Sequence, residues 1–325
     1  MKNSPKMIAV PGGLAVLGAV LLYLWLGPMW PDAAGQLEVR LPIPENSPSV
    51  PSDPNAGRVE GQLVNFDGKP AAIPGAWPQF RGSDRDAIWK GEVPLADKWP
   101  EGGPPQLWLI DVGMGYAGAA VRDGRVYVMD YDEEKLEDAI RCLSLADGQD
   151  IWRYSYPVKI KRNHGMSRTI PTIKDDYLIT MGPKCHVTCL DPNTGEFKWM
   201  IDLVRDYGTK VPAWYAGQCP LIEEDKLILG VGGEDVLMMA VDCNSGEVLW
   251  ETPNSQNWDM THSSVVPIEF EGRRMYIYCA SGGVVGVSAD DGSLLWETTE
   301  WKIRIANVPT PLYVGQGKLF LSGGY

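Results

Sequence analysis

Four segments of this chain end in the same way. CLSLADGQDIW closes on Trp152, CLDPNTGEFKW on Trp199, AVDCNSGEVLW on Trp250 and GVSADDGSLLW on Trp296, at spacings of 47, 51 and 46 residues. Each segment is a short apolar strand, a tight turn on Gly148, Gly195, Gly246 or Gly292, and a second strand that finishes on the Trp. Glycine there supplies the positive φ that a tight hairpin turn needs. Self-similarity at this period means an array of like units, each burying its apolar face against its neighbours.

A second pair of strands precedes each hairpin: AAVRDGRVYVMD (119–130), PTIKDDYLITMG (171–182), PLIEEDKLILGV (220–231) and VVPIEFEGRRMYIYCA (265–280). Ala119, Pro171, Pro220, Val265 and Pro311 align at offsets of 52, 49, 45 and 46 residues, the period already set by the Trp residues. Four strands per unit at such a period predict an all-β fold, a β-propeller of four-stranded blades. Four units are complete. A fifth begins at Pro311 and runs through GKLFLSGGY, stopping where its Trp hairpin would follow, so the sequence reads as C-terminally truncated. Leu107-Trp108 has the pattern of a blade's last strand, and Trp108, Trp152, Trp199, Trp250 and Trp296 are expected to pack between blades rather than to hold a ligand. Thirteen Trp against five Phe fits that repeated structural use.

The hairpin with its closing Trp resembles the pyrroloquinoline-quinone (PQQ) repeat over residues 77–325. Asp191 and Asp242 stand at the family's Asp position, Thr194 and Ser245 at its Thr position, and Gly at every turn. Ser144 and Ser288 replace the Asp, which predicts turns without that side-chain hydrogen bond. The stretches WPQFRG (77–82), SRTIPT (167–172), NVPTP (307–311) and the closing SGGY are similar to PQQ-like propellers of bacterial envelopes. The resemblance also implies an alternative, because the repeat occurs in quinoprotein alcohol dehydrogenases, where PQQ sits on the axis beside Ca²⁺. Those enzymes carry adjacent cysteines next to the cofactor. Here Cys142, Cys185, Cys189, Cys219, Cys243 and Cys279 are all separated, and no motif places the calcium-ligating residues.

Residues 7–30 contain no charged side chain, and 24 residues of helix would span roughly 36 Å, enough to cross a bilayer. Lys2 and Lys6 precede the run and Asp32 follows it, so the positive-inside rule places the remainder of the chain outside the cytoplasmic membrane. Residues 1–30 are therefore expected to be a membrane anchor, with a cleaved signal peptide as the rival reading, and 31–76 a Pro-rich tether. The first cysteine is Cys142, so no lipidation site lies near the apolar run. With 29 Lys and Arg against 42 Asp and Glu, the formal charge is −13, which excludes a sequence-independent nucleic-acid partner.

Catalytic motifs are absent, and no catalytic or metal-binding residues are expected. His164, His186 and His262 form no triad pattern, and Cys185 and Cys189 bracketing His186 lack a second pair at zinc-ligand spacing. Cys142 and Cys189 occupy one position of successive units, filled elsewhere by Ala240 and Gly286, as buried thiols would. Six cysteines in an exported domain also permit up to three disulfides. The acidic run YDEEKLED (131–138) reads as a solvated loop. Side chains just before each first strand should open onto the propeller's central funnel. Tyr116, Arg168, Trp214, Tyr215, Gln218, His262 and Asn307 are the candidates for its lining, and Arg168 could fork onto a carboxylate. The expected role is non-catalytic: a protein-interaction or ligand-binding platform whose partners are envelope proteins or a small ligand. PQQ with calcium, in an alcohol dehydrogenase, is the alternative.

Overall fold

The computed structural model describes residues 59–91, 96–160, 165–303 and 305–323. The expected membrane helix lies outside these residues. Among them, no helix is long and apolar enough to cross a membrane.

The fold is all-β. β1 (Gln62–Asn65), β2 (Ala120–Arg122), β3 (Arg125–Asp132), β4 (Glu137–Ser144) and β5 (Asp150–Pro157) form one sheet in the order β1-β5-β4-β3-β2. β6 (Thr172–Lys174), β7 (Tyr177–Met181), β8 (His186–Leu190) and β9 (Phe197–Asp202) form the second, followed by the single-turn helix α1 (Leu203–Tyr207). β10 (Leu221–Glu223), β11 (Lys226–Gly230), β12 (Val236–Asp242) and β13 (Val248–Pro253) make the third. β14 (Val266–Phe270), β15 (Arg273–Ala280), β16 (Gly283–Ser288) and β17 (Leu294–Thr298) make the fourth, and β18 (Leu312–Gly315) pairs with β19 (Lys318–Phe320). Strands follow chain order within every sheet, as in the blades of a propeller, apart from β1.

That exception departs from the tether expected over 31–76, of which 31–58 lie outside the described residues. β1 lies antiparallel on the outer edge of β5, and Leu63 joins the core around Trp152. Four residues, QLVN, are too few to show a period, and the pairing exists only because β5 offers an edge to cover.

The Trp hairpins are built alike. In each, the turn glycine N–H donates to the carbonyl four residues back: Gly148 to Ser144, Gly195 to Asp191, Gly246 to Asp242 and Gly292 to Ser288, at 2.8–3.1 Å. The glycine φ values fall between 72° and 77°, where a Cβ is strained. All four ladders are bulged one residue after the position opposite Trp. That opposite position is Cys142, Cys189, Ala240 or Gly286, so a small side chain stands beside each indole. Asp191 and Asp242 accept from the two N–H groups that follow in their turns, as the repeat requires. The turns with Ser were expected to lack such a bond. Ser288 Oγ nevertheless accepts from the Asp290 N–H at 3.3 Å, and Asp147 and Asp291 accept from Gln149 and Ser293. The hydrogen bond has moved along the turn rather than been lost.

Each Trp closes the gap to the next unit. A Cβ on Gly148, Gly195 or Gly246 would lie 2.6, 2.6 or 2.8 Å from the indole of Trp108, Trp152 or Trp199, and the Trp250 ring covers Gly292 in the same way. Trp108 plays this part although Leu107-Trp108 forms no strand. Its Nε1–H donates to Leu145 O at 3.0 Å, while Leu107 is exposed. The core is accordingly cut into layers between sheets: around Trp152, Leu178 and Leu190, then Trp199, Leu227 and Met239, then Tyr276, Val285 and Met238. Trp296 faces Tyr313 and Leu319 of the last, two-stranded sheet.

All six cysteines are free and buried. Cys185, Cys189 and Cys243 share the layer around Trp199, Cys142 lies in that around Trp152 and Cys279 in that beside Trp296, and none of the permitted disulfides is formed. Burial pushes the Cys185 and Cys189 thiols up to about 12, which leaves them protonated and inert. The acidic run is not a solvated loop either. Tyr131 and Asp132 end β3 and Glu137 and Asp138 begin β4, leaving only 133–136 as a turn, and Asp138 is fully buried.

Candidate functional site

The loops leading into β2, β6, β10 and β14 meet side by side. Tyr116 N–H donates to Ser167 O at 2.6 Å, the Ile170 N–H to Cys219 Sγ at 3.4 Å, and the Cys219 N–H to Ser264 Oγ at 3.0 Å. This stitching brings together side chains that lie about fifty residues apart in sequence.

Four expected funnel residues come together there. The Arg168 guanidinium carbon stands 5.0 Å from the centre of the Tyr116 ring, a cation–π contact. Tyr215 and His262 are its other titratable neighbours. Arg168 is half-buried, with Nε and Nη2 enclosed, and neither nitrogen has a hydrogen-bond partner. Desolvation lowers the pKa of its guanidinium and raises that of Tyr215. Tyr116 is 66% exposed and forms the outer lip. Trp214 and Tyr215 adopt φ of 63° and 74°, consecutive left-handed conformations in a turn closed by the Tyr215 N–H to Pro212 O bond at 3.0 Å. Such strain persists where surrounding contacts enforce it, and it concentrates at binding sites.

His262 and the remaining candidates also have structural duties. His262 Nε2 lies 2.8 Å from Ala213 O, and its ring packs against Gly217; burial lowers its pKa, so the imidazole is neutral. With Asn307, Lys210 and Asp259, His262 lines a second cavity of about 300 Å³, in which Lys210 and Asp259 pair at 2.9 Å. Asn307 reaches Cys279 O at 3.4 Å. Gln218 does not line the funnel: fully buried, it accepts from Gly230 N–H at 2.8 Å and donates to Gly230 O at 3.0 Å. Gln218→Ala is expected to destabilise the fold by about 2–3 kcal/mol, because it leaves a buried donor and acceptor unmet. Urea unfolding measures it, and an unchanged midpoint would contradict the assignment.

Residues 77–91, singled out in the sequence only for the WPQFRG resemblance, lie along the first strands. Trp77 pairs with Val121 of β2, Ile173 N–H of β6 donates to Pro78 O at 2.8 Å, and Arg85 stands 3.7 Å from Glu223 of β10. The segment has neither strand nor helix periodicity, so its course could not be read from the sequence.

Among the described residues, no three His, Cys, Asp or Glu side chains converge. Cys185 Sγ contacts Met260 Sδ at 3.8 Å while His186 faces Asp202 at 3.6 Å, so the expected neighbours Cys185 and His186 point to different partners.

A family model described as "Outer membrane protein assembly factor BamB" matches residues 136–325. No curated protein matches the chain in a sequence comparison. Among solved structures, it is similar to a europium-containing methanol dehydrogenase, with 12% identity, a TM-score of 0.44, and coverage of 57% of this chain and 42% of that one. The quinohemoprotein alcohol dehydrogenase of Comamonas testosteroni matches with 18% identity, a TM-score of 0.41, and coverage of 58% and 36%. BamB from Moraxella catarrhalis matches with 17% identity, a TM-score of 0.37, and coverage of 61% and 66%. The chain thus spans less than two thirds of the length of each.

Proposed function

Because the chain belongs to the PQQ_2 family of PQQ-repeat propellers, described as outer membrane protein assembly factor BamB, we propose that it is a non-catalytic docking platform of a bacterial cell envelope. In this reading residues 7–30 anchor it in the cytoplasmic membrane, and four blades and the start of a fifth stand on the outer side. The face built by the loops before β2, β6, β10 and β14 receives an envelope protein.

One observation carries the proposal. Of the four residues gathered at that face, Arg168 lies over the Tyr116 ring with Nε and Nη2 unpaired, and His262 is tied to a backbone carbonyl, an arrangement suited to holding a partner. An unpaired guanidinium flanked by Tyr is the kind of anchor around which protein interfaces concentrate their binding energy. The dehydrogenase alternative would require PQQ and Ca²⁺ to bind together.

The test places a photo-crosslinking amino acid at Tyr116 of the full chain in bacterial envelopes. One discrete adduct is expected, lost on Arg168→Gln and absent when the probe stands at Leu249, which is exposed on β13 away from these loops. The same adduct from both positions, or none from Tyr116, would sink the platform. Saturable Ca²⁺-dependent PQQ binding near one equivalent would replace it with the oxidoreductase.

A further inference from the structure

A cavity of about 320 Å³ lies between the 77–91 segment and the strands β10, β14 and β18, sharing Cys219 and Ser264 with the loops of that face but none of Tyr116, Arg168, Tyr215 and His262. Its walls mix polar and apolar side chains, and the apolar ones come in part from equivalent repeat positions: Pro220, Val265 and Pro311, with Phe80 contributed by the crossing segment. Three guanidiniums line it, those of Arg81, Arg85 and Arg274.

Their acceptors are spoken for. Glu223 takes two N–H bonds from Arg274, through Nε at 3.2 Å and through Nη2, and one from Tyr276 Oη at 2.9 Å. Arg85 Nη2 stands 3.7 Å from the same carboxylate, beyond hydrogen-bond reach. Asp84, the acid lining the cavity, is paired with Lys90 at 2.6 Å, and Asp86 with the same lysine at 2.7 Å. Among the described residues the side chains of Arg81 and Arg85 donate no hydrogen bond. A chain of net charge −13 therefore gathers three arginines at one cavity, where, among the described residues, Arg81 has no acidic partner and Arg85 only the carboxylate of Glu223 at 3.7 Å, already bound by Arg274. Burial lowers the pKa of the Arg85 guanidinium, against the attraction of Glu223.

The backbone presenting these two arginines is strained. Arg81 and Arg85 have φ of 64° and 60°, with Gly82 at 82° between them and Ala87 at 61° beyond. Short turn bonds hold the conformation: Gly82 N–H to Gln79 O at 3.0 Å, Arg85 N–H to Gly82 O at 3.2 Å and Ala87 N–H to Arg81 O at 2.8 Å. Left-handed conformations at non-glycine residues are costly and persist where they aim a functional group.

We propose that this cavity binds a small organic carboxylate with an apolar body, its carboxylate on Arg81 and Arg85 and its body against the repeated apolar walls. Planar guanidinium forks match a carboxylate, and the volume is at the small end of ligand pockets. Inorganic phosphate would satisfy the arginines but leave the apolar walls without a partner.

The probes are 3-phenylpropionate and its uncharged analogue 3-phenylpropanol, titrated calorimetrically into the full chain. The acid is expected to bind near one equivalent and at least tenfold more tightly than the alcohol. Arg81→Gln/Arg85→Gln should weaken the acid at least tenfold, while Arg168→Gln leaves it unchanged, which separates this site from the docking face. Equal affinity for acid and alcohol, equal competition by phosphate, or unchanged binding in the double variant would overturn the proposal. If the double variant does not fold, guanidinium modification by phenylglyoxal decides: the acid should protect Arg81 and Arg85 in the unmodified sequence, and unprotected arginines would overturn the assignment.

Discussion

Trp199→Ala is expected to lower the unfolding free energy by about 3–5 kcal/mol, the cost of emptying a large buried site that cannot collapse. Trp199 is 8% exposed, its ring covers the Gly246 turn of the following sheet, and its Nε1–H donates to Cys243 O at 2.8 Å. Truncation therefore opens a cavity between sheets and removes a partner from a buried carbonyl. Trp199→Phe should recover more than half of the loss, because it refills most of the volume without the hydrogen bond. Trp296→Ala should cost about 1–2 kcal/mol, since that ring is only half-buried. Urea midpoints for the three variants measure the ranking. Equal losses at Trp199 and Trp296 would show that the indoles do not act by packing between sheets.

The second large effect is a pH dependence from Asp138. Its carboxyl is fully buried, and desolvation raises its pKa from 3.8 to about 7 despite the Tyr156 Oη–H donating to Oδ2 at 2.5 Å. Oδ1 has no partner. Below the unfolded value of 3.8 both states carry the proton, and this group leaves stability unchanged. Between 3.8 and about 7 the folded state keeps a proton that the unfolded chain has released, so stability falls as pH rises. Above that window the full penalty stands, up to about 4 kcal/mol. Asp138→Asn keeps an oxygen acceptor for Tyr156 and cannot ionise. Relative to the natural sequence, it should gain up to about 4 kcal/mol between pH 4 and pH 8, with the gain spread across that interval. His186, whose ring lies 5.4 Å from that of Tyr156 and whose pKa burial lowers, is present in both proteins and cancels in the difference. A flat difference across the interval would refute the buried-acid assignment.

The two effects share a cause in the way the sheets meet. Asp138 and Tyr156 belong to the first sheet, and Gly182, just beyond β7 of the second, lies so close to both that a Cβ there would collide with them. Glycine is needed because two sheets converge on one polar pair. The same convergence explains Gly195 and Gly246 beneath their indoles.

The hairpins were legible in sequence because their information is local. Four copies of strand, glycine turn and Trp state the period, the turn and one small-residue position shared by all four, while the bulge and the place of that residue opposite the indole came from the structure. Cys142, Cys189, Ala240 and Gly286 are equivalent by sequence alone, and the register puts each opposite its Trp. The loops before the first strands carry no period, so the sequence could nominate their residues but not aim them. Tyr116, Arg168, Tyr215 and His262 converge, whereas Gln218, one position from the Cys219 that joins two loops, turns into the sheet to satisfy Gly230.

What the sequence determined by itself is the unit: strands that alternate or run apolar, turns with positive φ, and an aromatic that must be buried by whatever follows. Only the tertiary structure decided that residues 62–65 cap the edge of β5, that 77–91 lie along the first strands, and that Asp138 is withdrawn from water. The physical reason is the range of the interactions. A hairpin is selected by dihedral preferences and contacts within a dozen residues, whereas a covered edge, a crossing segment and a buried charge depend on surfaces that exist only once several sheets have packed.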